Sequence, residues 1–273
     1  MTPPLVVLTD FFAVSNRALS YAAGLAVPLN TQLVLLHVRH DGLLAPYEYS
    51  SYYTEWGERK ATEALHKLAA NQPVPTEVEI SAAWLPDAVK EAVRLHQPLL
   101  LVLGRAGAAN PPEDIVVRTA MNLLHDAPYP LLVVPAVGWD VYPPRRLLLA
   151  VDGEAFRLCP HQDVVRRLLR ATLASFHVVH VTSDDQGETN AAAVLDTIRA
   201  NDLVDTLPEG DEHEVFQPTV VGGILREIAR KDADMLVVVA RRHSLLGSLF
   251  HESITAQLLE QSPIPVLLLP AED

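Results

Sequence analysis

The chain alternates short, wholly apolar runs with longer stretches in which apolar residues return at helical spacing. Pro4–Thr9 is a continuous apolar run, the pattern of a strand covered on both faces. Ser15–Ala26 follows, with Leu19, Ala22, Ala23 and Ala26 spaced as one helix face. Gln32–Val38 predicts the second strand, Tyr52–Ala70 a longer helix, and Thr76–Ser81 an alternating strand. Pro86 opens the next helix at a favoured first-turn position, and that helix runs to His96. Leu99–Leu103 is the most hydrophobic strand. A loop rich in Gly, Ala and Pro separates it from a helix over Asp114–His125, and Pro130–Val134 closes the series as a strand.

The second half repeats the first. LLLVLG (Leu99–Gly104) follows the helix-like AVKEAVRLHQP, and MLVVVA (Met235–Ala240) follows ILREIARKDAD at an offset of 136 residues. PYPLLVVPA (Pro128–Ala136) is answered by PIPVLLLPA from Pro263. VVLTD ending at Asp10 is answered by LLAVD ending at Asp152, and LLHVRHD around His37 by VVHVTSD around His180. A repeat of this length is domain-sized, far beyond a solenoid unit. Strands of the second half are predicted near Leu147–Val151, His177–Val181, Glu214–Gln217, Met235–Val239 and Pro265–Leu269. Its helices are predicted near Gln162–Leu173, Ala191–Asn201, Val220–Lys231 and Glu252–Glu260. Gly138 and the pair Pro143–Pro144 mark the linker, so the expected domains are 1–137 and 146–273, joined by 138–145. Strands separated by helices predict parallel β with right-handed crossovers. Each half is therefore expected to be an α/β domain, an open parallel five-stranded sheet with helices on both faces. Such sheets bind ligands beyond the carboxyl ends of their strands, where the strand order reverses. That directs attention to Asp10, Val38–Asp41, Gly104–Gly107 and their counterparts.

Composition narrows the partners. With 273 residues, 49% of them hydrophobic, the chain can fill two cores. A net charge of −13 disfavours nucleic acid and anionic lipid. Cys159 is the single cysteine, which excludes an internal disulfide and suits a reducing compartment. MTPPLVVLTD has neither the basic nor the extended apolar region of a signal peptide. No apolar run approaches the ~20 residues a bilayer span needs. The expectation is a soluble, cytoplasmic protein with no nucleic-acid or membrane partner.

The strand-end Asp in LTDF and AVDG, the HV closing the second strand, the DADMLVVVA stretch and the closing P-x-P strand recur in this order, twice. With them the chain resembles a tandem universal stress protein over nearly its whole length. The resemblance implies a Rossmann-like, adenine nucleotide alpha hydrolase-like fold in each half, with ATP as the cofactor class. ATP-binding members are similar in a G-x2-G-x9-G-[S/T] loop between the fourth strand and the last helix. Its glycines let backbone amides approach phosphate oxygens at a helix N-terminus. The resemblance also implies that the Asp ending the first strand lies near the adenine or ribose, and that the backbone after the second strand frames the base. This sequence departs from the pattern. The first half keeps Gly104 and Gly107, but Val117 and Arg118 stand at the third-glycine and hydroxyl positions. In the second half Ala240 and His243 replace the early glycines, and Glu252 and Ser253 fall where the Gly-Ser pair would be. The candidate nucleotide-binding residues are thus Asp10, Val38, Gly104, Arg105, Gly107 and Arg118 in the first half. Asp152, Val181 and Ser253 are their counterparts in the second.

Each candidate has a plainer reading. Asp10 and Asp152 can cap a turn or helix, and Ser253 can cap its own helix. Arg105, Arg118, Arg241, Arg242 and His243 surround the two strand-four loops, where Arg forks recognise phosphate or simply meet solvent. His37 and His180 read as packed strand-end histidines, because no metal-ligand spacing accompanies them. Cys159 has no evident activating partner, and Tyr47, Tyr49, Tyr52, Tyr53 and Trp56 line a pocket or cover the sheet. The marks of an enzyme are missing: no Walker A loop, no G-x-S-x-G elbow, no convincing acid–base pair. Two readings lead. One is a noncatalytic stress protein that binds an adenine nucleotide or another small anionic ligand, chiefly in the first half. The other is a ligand-free tandem pseudo-dimer acting through protein interaction. In both, PYPLLVV and PIPVLLL are expected to pair within the chain and cover each other's edges, with a homodimer of chains left open.

Overall fold

A computed structural model describes residues 2–9, 13–38, 55–105, 113–137, 142–160, 162–182, 191–205, 212–241 and 253–272. Asp10, Tyr47, Tyr49, Tyr52, Tyr53, Gly107, Arg242, His243 and Glu252 lie outside the described residues. The first half runs β1 (Leu5–Thr9), α1 (Ala13–Leu29), β2 (Leu33–Val38), α2 (Glu55–Ala70), β3 (Thr76–Ser81), α3 (Leu85–His96), β4 (Leu100–Arg105), α4 (Glu113–Asp126) and β5 (Leu131–Pro135). The second runs β6 (Arg146–Val151), β7 (Arg157–Leu158), α5 (Val164–Thr172), β8 (Ser175–Thr182), α6 (Ala191–Ala200), β9 (Glu212–Phe216), α7 (Val220–Lys231), β10 (Met235–Arg241), α8 (Ile254–Gln261) and β11 (Val266–Glu272).

The strands line up in the order β3-β2-β1-β4-β5-β11-β10-β6-β8-β9. Within each half all five main strands are parallel, in the same relative order. The halves meet where β5 pairs β11 antiparallel, with Val133 opposite Val266 and Leu131 opposite Leu268. Each closing strand covers the edge the other would expose, so two open sheets become one continuous sheet.

The apolar runs of the sequence are apolar because both faces of the sheet are covered. Val6 and Leu8 of β1 face one core, shared with residues of α3, α4, α7 and α8. Leu5 and Val7 face the other, shared with α1, α2, α5 and α6. Across the junction α1 meets α5 on one face and α4 meets α8 on the other, as a pseudo-twofold arrangement requires. Tyr142, beyond the linker glycine, seats its ring against α1 at Gly24, where a Cβ would come within 2.2 Å of the ring. Among the described residues no helix is long and apolar enough to cross a membrane.

One departure from the sequence-based elements bears on the site. Strand β11 runs on to Glu272, paired on one side by β10 through Arg241–Ala271 and on the other by β7, which no pattern predicted, through Ala271–Leu158 and Glu272–Arg157. Helix α4 begins at Glu113, one residue from its expected start.

Candidate functional site

In each half the strand order reverses between the first and fourth strands, β1 and β4 or β6 and β10, and the crevice lies beyond their carboxyl ends. The ladder also corrects the repeat. Leu101 pairs Val6 and Leu131, while Leu236 pairs Leu148 and Val266. Leu101 therefore corresponds to Leu236, one residue short of the expected offset. The first-half glycines at 104 and 107 face Val239 and Arg242 of the second half, rather than Ala240 and His243. A one-residue slip reverses the face of a strand residue. Arg105 lies on the face of Leu101 and Leu103, toward α4 and α8, whereas Arg241 lies on the face of Met235 and Val237, toward α5. The two arginines thus point to opposite sides of the sheet.

In the second half the crevice is bridged. Arg241, at the end of β10, donates from Nε to Asp152 Oδ2 at 2.8 Å and from Nη2 to Oδ1 at 3.0 Å. The same guanidinium donates to the carbonyls of Ala155 (3.1 Å) and Glu154 (3.2 Å). Its side chain is only 10% exposed, while that of Asp152 is 52% exposed. Partial burial pushes the Asp152 carboxyl up, but the bonds and charge of Arg241 and the Glu154 amide outweigh it and hold it below the ordinary carboxylate value. The segment between Asp152 and α5 is pinned as a strap across these strand ends. Gly153 adopts φ +82°, and a Cβ there would lie 2.9 Å from His180 Nε2. Asn201 accepts from Leu158 N at 2.7 Å and donates to Phe156 O at 2.9 Å. Cys159 N and Gln162 Nε2 both donate to Pro270 O. Val181, at the end of β8, is buried against Gly223 of α7. Ser253 is the N-cap of α8, its Oγ accepting from Ala256 N at 3.1 Å.

Among the described residues the first half shows no counterpart of this strap. Only three residues separate β1 from α1, and Ala106 stands where the second half has Arg241. Thr9, at the end of β1, is 1% exposed, and its hydroxyl finds no hydrogen-bond partner among the described residues. The second half has Val151 there. His37, also buried, lies beside Thr9 in register and donates from Nδ1 to Thr9 O at 2.9 Å, a carbonyl being able only to accept. Val38 closes β2 as a buried core residue. Gly104 pairs Val134 near the end of β4. The Arg105 guanidinium is engaged by the carbonyls of Glu260 and Ser262 in the other half, so it is not directed at the crevice. Val117 and Arg118 fall at the fifth and sixth residues of α4, Val117 buried and Arg118 exposed. Amides from the fifth helical residue on are bonded one turn back, so these two positions offer no amides to a phosphate.

Sequence reasoning missed the Asp152–Arg241 pair and the orphaned Thr9 hydroxyl. The second had a faint signal, a Thr in VVLTD where the repeat has Val. Among the described residues no group of three or more His, Cys, Asp or Glu could hold a metal ion.

Comparison with known proteins follows the same duplication. The model of the universal stress protein family matches twice, over residues 1–135 and 144–270. A universal stress protein from Archaeoglobus fulgidus is similar at 17% identity and a TM-score of 0.66, covering 97% of each chain. A putative universal stress protein from Pseudomonas aeruginosa is similar at 17% identity and TM-score 0.54, covering 99% of this chain and 94% of the other. The cytoplasmic domain of a prokaryotic cation chloride cotransporter is similar at 11% identity and TM-score 0.54, covering 98% and 95%. No curated protein matches the chain. The structural likenesses speak to fold alone, but the double family match, laid over two parallel five-stranded halves, shows that the chain belongs to the universal stress protein family.

Proposed function

We propose that this is a noncatalytic universal stress protein with one open and one closed ligand site. Its first half, residues 1–137, binds an adenine nucleotide or another small anionic ligand through Asp10, Val38, Gly104 and Gly107. Its second, residues 146–273 beyond the linker 138–145, is a closed partner. The observation that carries this reading is Arg241: it ties up the strand-end carboxylate of the second half and pins a strap over that crevice, and the first half has Ala106 and a three-residue connection instead. The buried Thr9 hydroxyl, without a hydrogen-bond partner among the described residues, supports the first half as the polar side. Because Val117 and Arg118 lie inside α4, the ligand is expected to be held by its base and ribose more than by its phosphates. A cytoplasmic setting belongs to the same reading, in keeping with Cys159, buried and the single cysteine of the chain.

The test begins with acid extraction of the purified protein and chromatography for bound nucleotide, followed by titration with ATP. Asp10→Ala and Gly104→Glu are expected to abolish binding. The place of Val117 and Arg118 inside α4 favours a second reading, a ligand-free pseudo-dimer that acts by protein interaction. No extracted nucleotide and no heat at millimolar ATP would establish that reading over the first.

A further inference from the structure

The last turn of α8 carries no basic residue of its own, although the carbonyls ending a helix bear partial negative charge. The cation comes from the other half. Arg105, the last residue of β4, donates from Nη1 to Glu260 O and from Nη2 to Ser262 O at 2.5 Å. Ser262 is the C-cap, 1% exposed; its N–H donates to Leu258 O at 2.9 Å and its Oγ to Ile264 O at 2.8 Å. The turn from α8 into β11 is thereby fixed from both ends. The backbone of Arg105 is held as firmly. Its carbonyl accepts from Ala136 N at 2.9 Å, and the Ala136 carbonyl accepts from Arg17 Nε of α1 at 3.1 Å. The residue next to Gly104 is thus tied to α1 in its own half and to α8 in the other.

The arrangement has no mirror image. Ala240 occupies the position of Arg105 in the second half, and α4 carries its own basic residue, His125, in its last turn. We infer that Arg105 is a positioning residue through which the second half holds the carboxyl end of β4, linking occupancy of the first-half crevice to the order of the α8–β11 turn. The link to a ligand rests on the proposed function; the clamp itself does not. The two carbonyls are gripped by a planar fork, which a lysine ammonium reproduces only as a point charge. Linkage makes the effect reciprocal: what the turn does for the ligand, the ligand does for the turn.

Amide hydrogen exchange of the full chain, with and without ATP, tests this in wild type, Arg105→Met and Arg105→Lys. Without nucleotide, Arg105→Met is expected to speed exchange of Leu258–Ile264 by about tenfold, leaving β1 and β2 unchanged, because only the local opening is released. Arg105→Lys, which keeps the charge, gives a smaller acceleration. Unchanged exchange at Leu258–Ile264 overturns the clamp whether or not any nucleotide binds. With ATP bound, as read by calorimetry, wild type slows over the same amides while Arg105→Met does not and binds about tenfold more weakly. Heat of binding without that slowing overturns the link. Absence of heat overturns the nucleotide reading instead, and the first arm still decides the clamp.

Discussion

At Asp152 two opposed influences meet on one carboxylate: partial burial raises its pKa, and Arg241 with the Glu154 amide lowers it further than burial raises it. A carboxyl whose folded value lies below its unfolded one, near ~3.9, adds stability above that value and loses it as pH falls through the folded one. Arg241→Ala is therefore expected to cost about 1–2 kcal/mol at neutral pH, the lower part of the range for charged hydrogen bonds because Asp152 is half exposed. Urea unfolding across pH should find that cost constant down to about pH 4 and shrinking below it. A cost that grows on acidification would contradict the pairing. Gly153→Ala should destabilise by about 1–2 kcal/mol, since it combines a left-handed φ with a Cβ pressed on His180. A fully stable alanine variant would mean that the strap is not fixed there. Neither feature was legible beforehand. Asp152 and Arg241 are 89 residues apart and share no local spacing, so only the folded sheet brings them together.

Elements were easier to read than their alignment. Runs such as Leu131–Val134 and Val266–Leu269 are uniformly apolar because helices cover both faces, and that uniformity announces a strand. It also erases the alternation that would set register, which is why the fourth strands of the two halves were matched one residue out of step. A two-residue strand such as β7 exists only because the end of β11 is there to pair with it. The start of α4, by contrast, was legible to within one residue, Asp114 expected and Glu113 found. Strand β3 is an edge of the ten-strand path, and its Glu77 is exposed while Glu79 pairs with His96 Nε2 at 2.7 Å. Charges on an edge block pairing with another chain. Glu77→Val is expected to make the protein associate at rising concentration, measured by light scattering; a variant that stays at the wild-type mass would show that the edge is protected otherwise.

On the scale of the whole molecule the duplication yields a single sheet with unlike halves. The antiparallel junction of β5 and β11 gives each half the neighbour that an isolated copy would lack. Around that junction the copies diverge: one crevice carries a strap and a buried guanidinium, the other a short connection and an orphaned hydroxyl. The second half contributes framework, including the carbonyls that grip Arg105; in the proposed function the binding chemistry belongs to the first half. Isothermal calorimetry of the full chain with ATP tests this division most directly, run on wild type, Asp10→Ala and Asp152→Asn. About one ATP per chain is expected, one of the two corresponding crevices being closed, with binding lost in Asp10→Ala and kept in Asp152→Asn. Two nucleotides per wild-type chain, or loss of binding in Asp152→Asn with Asp10→Ala unaffected, would contradict it.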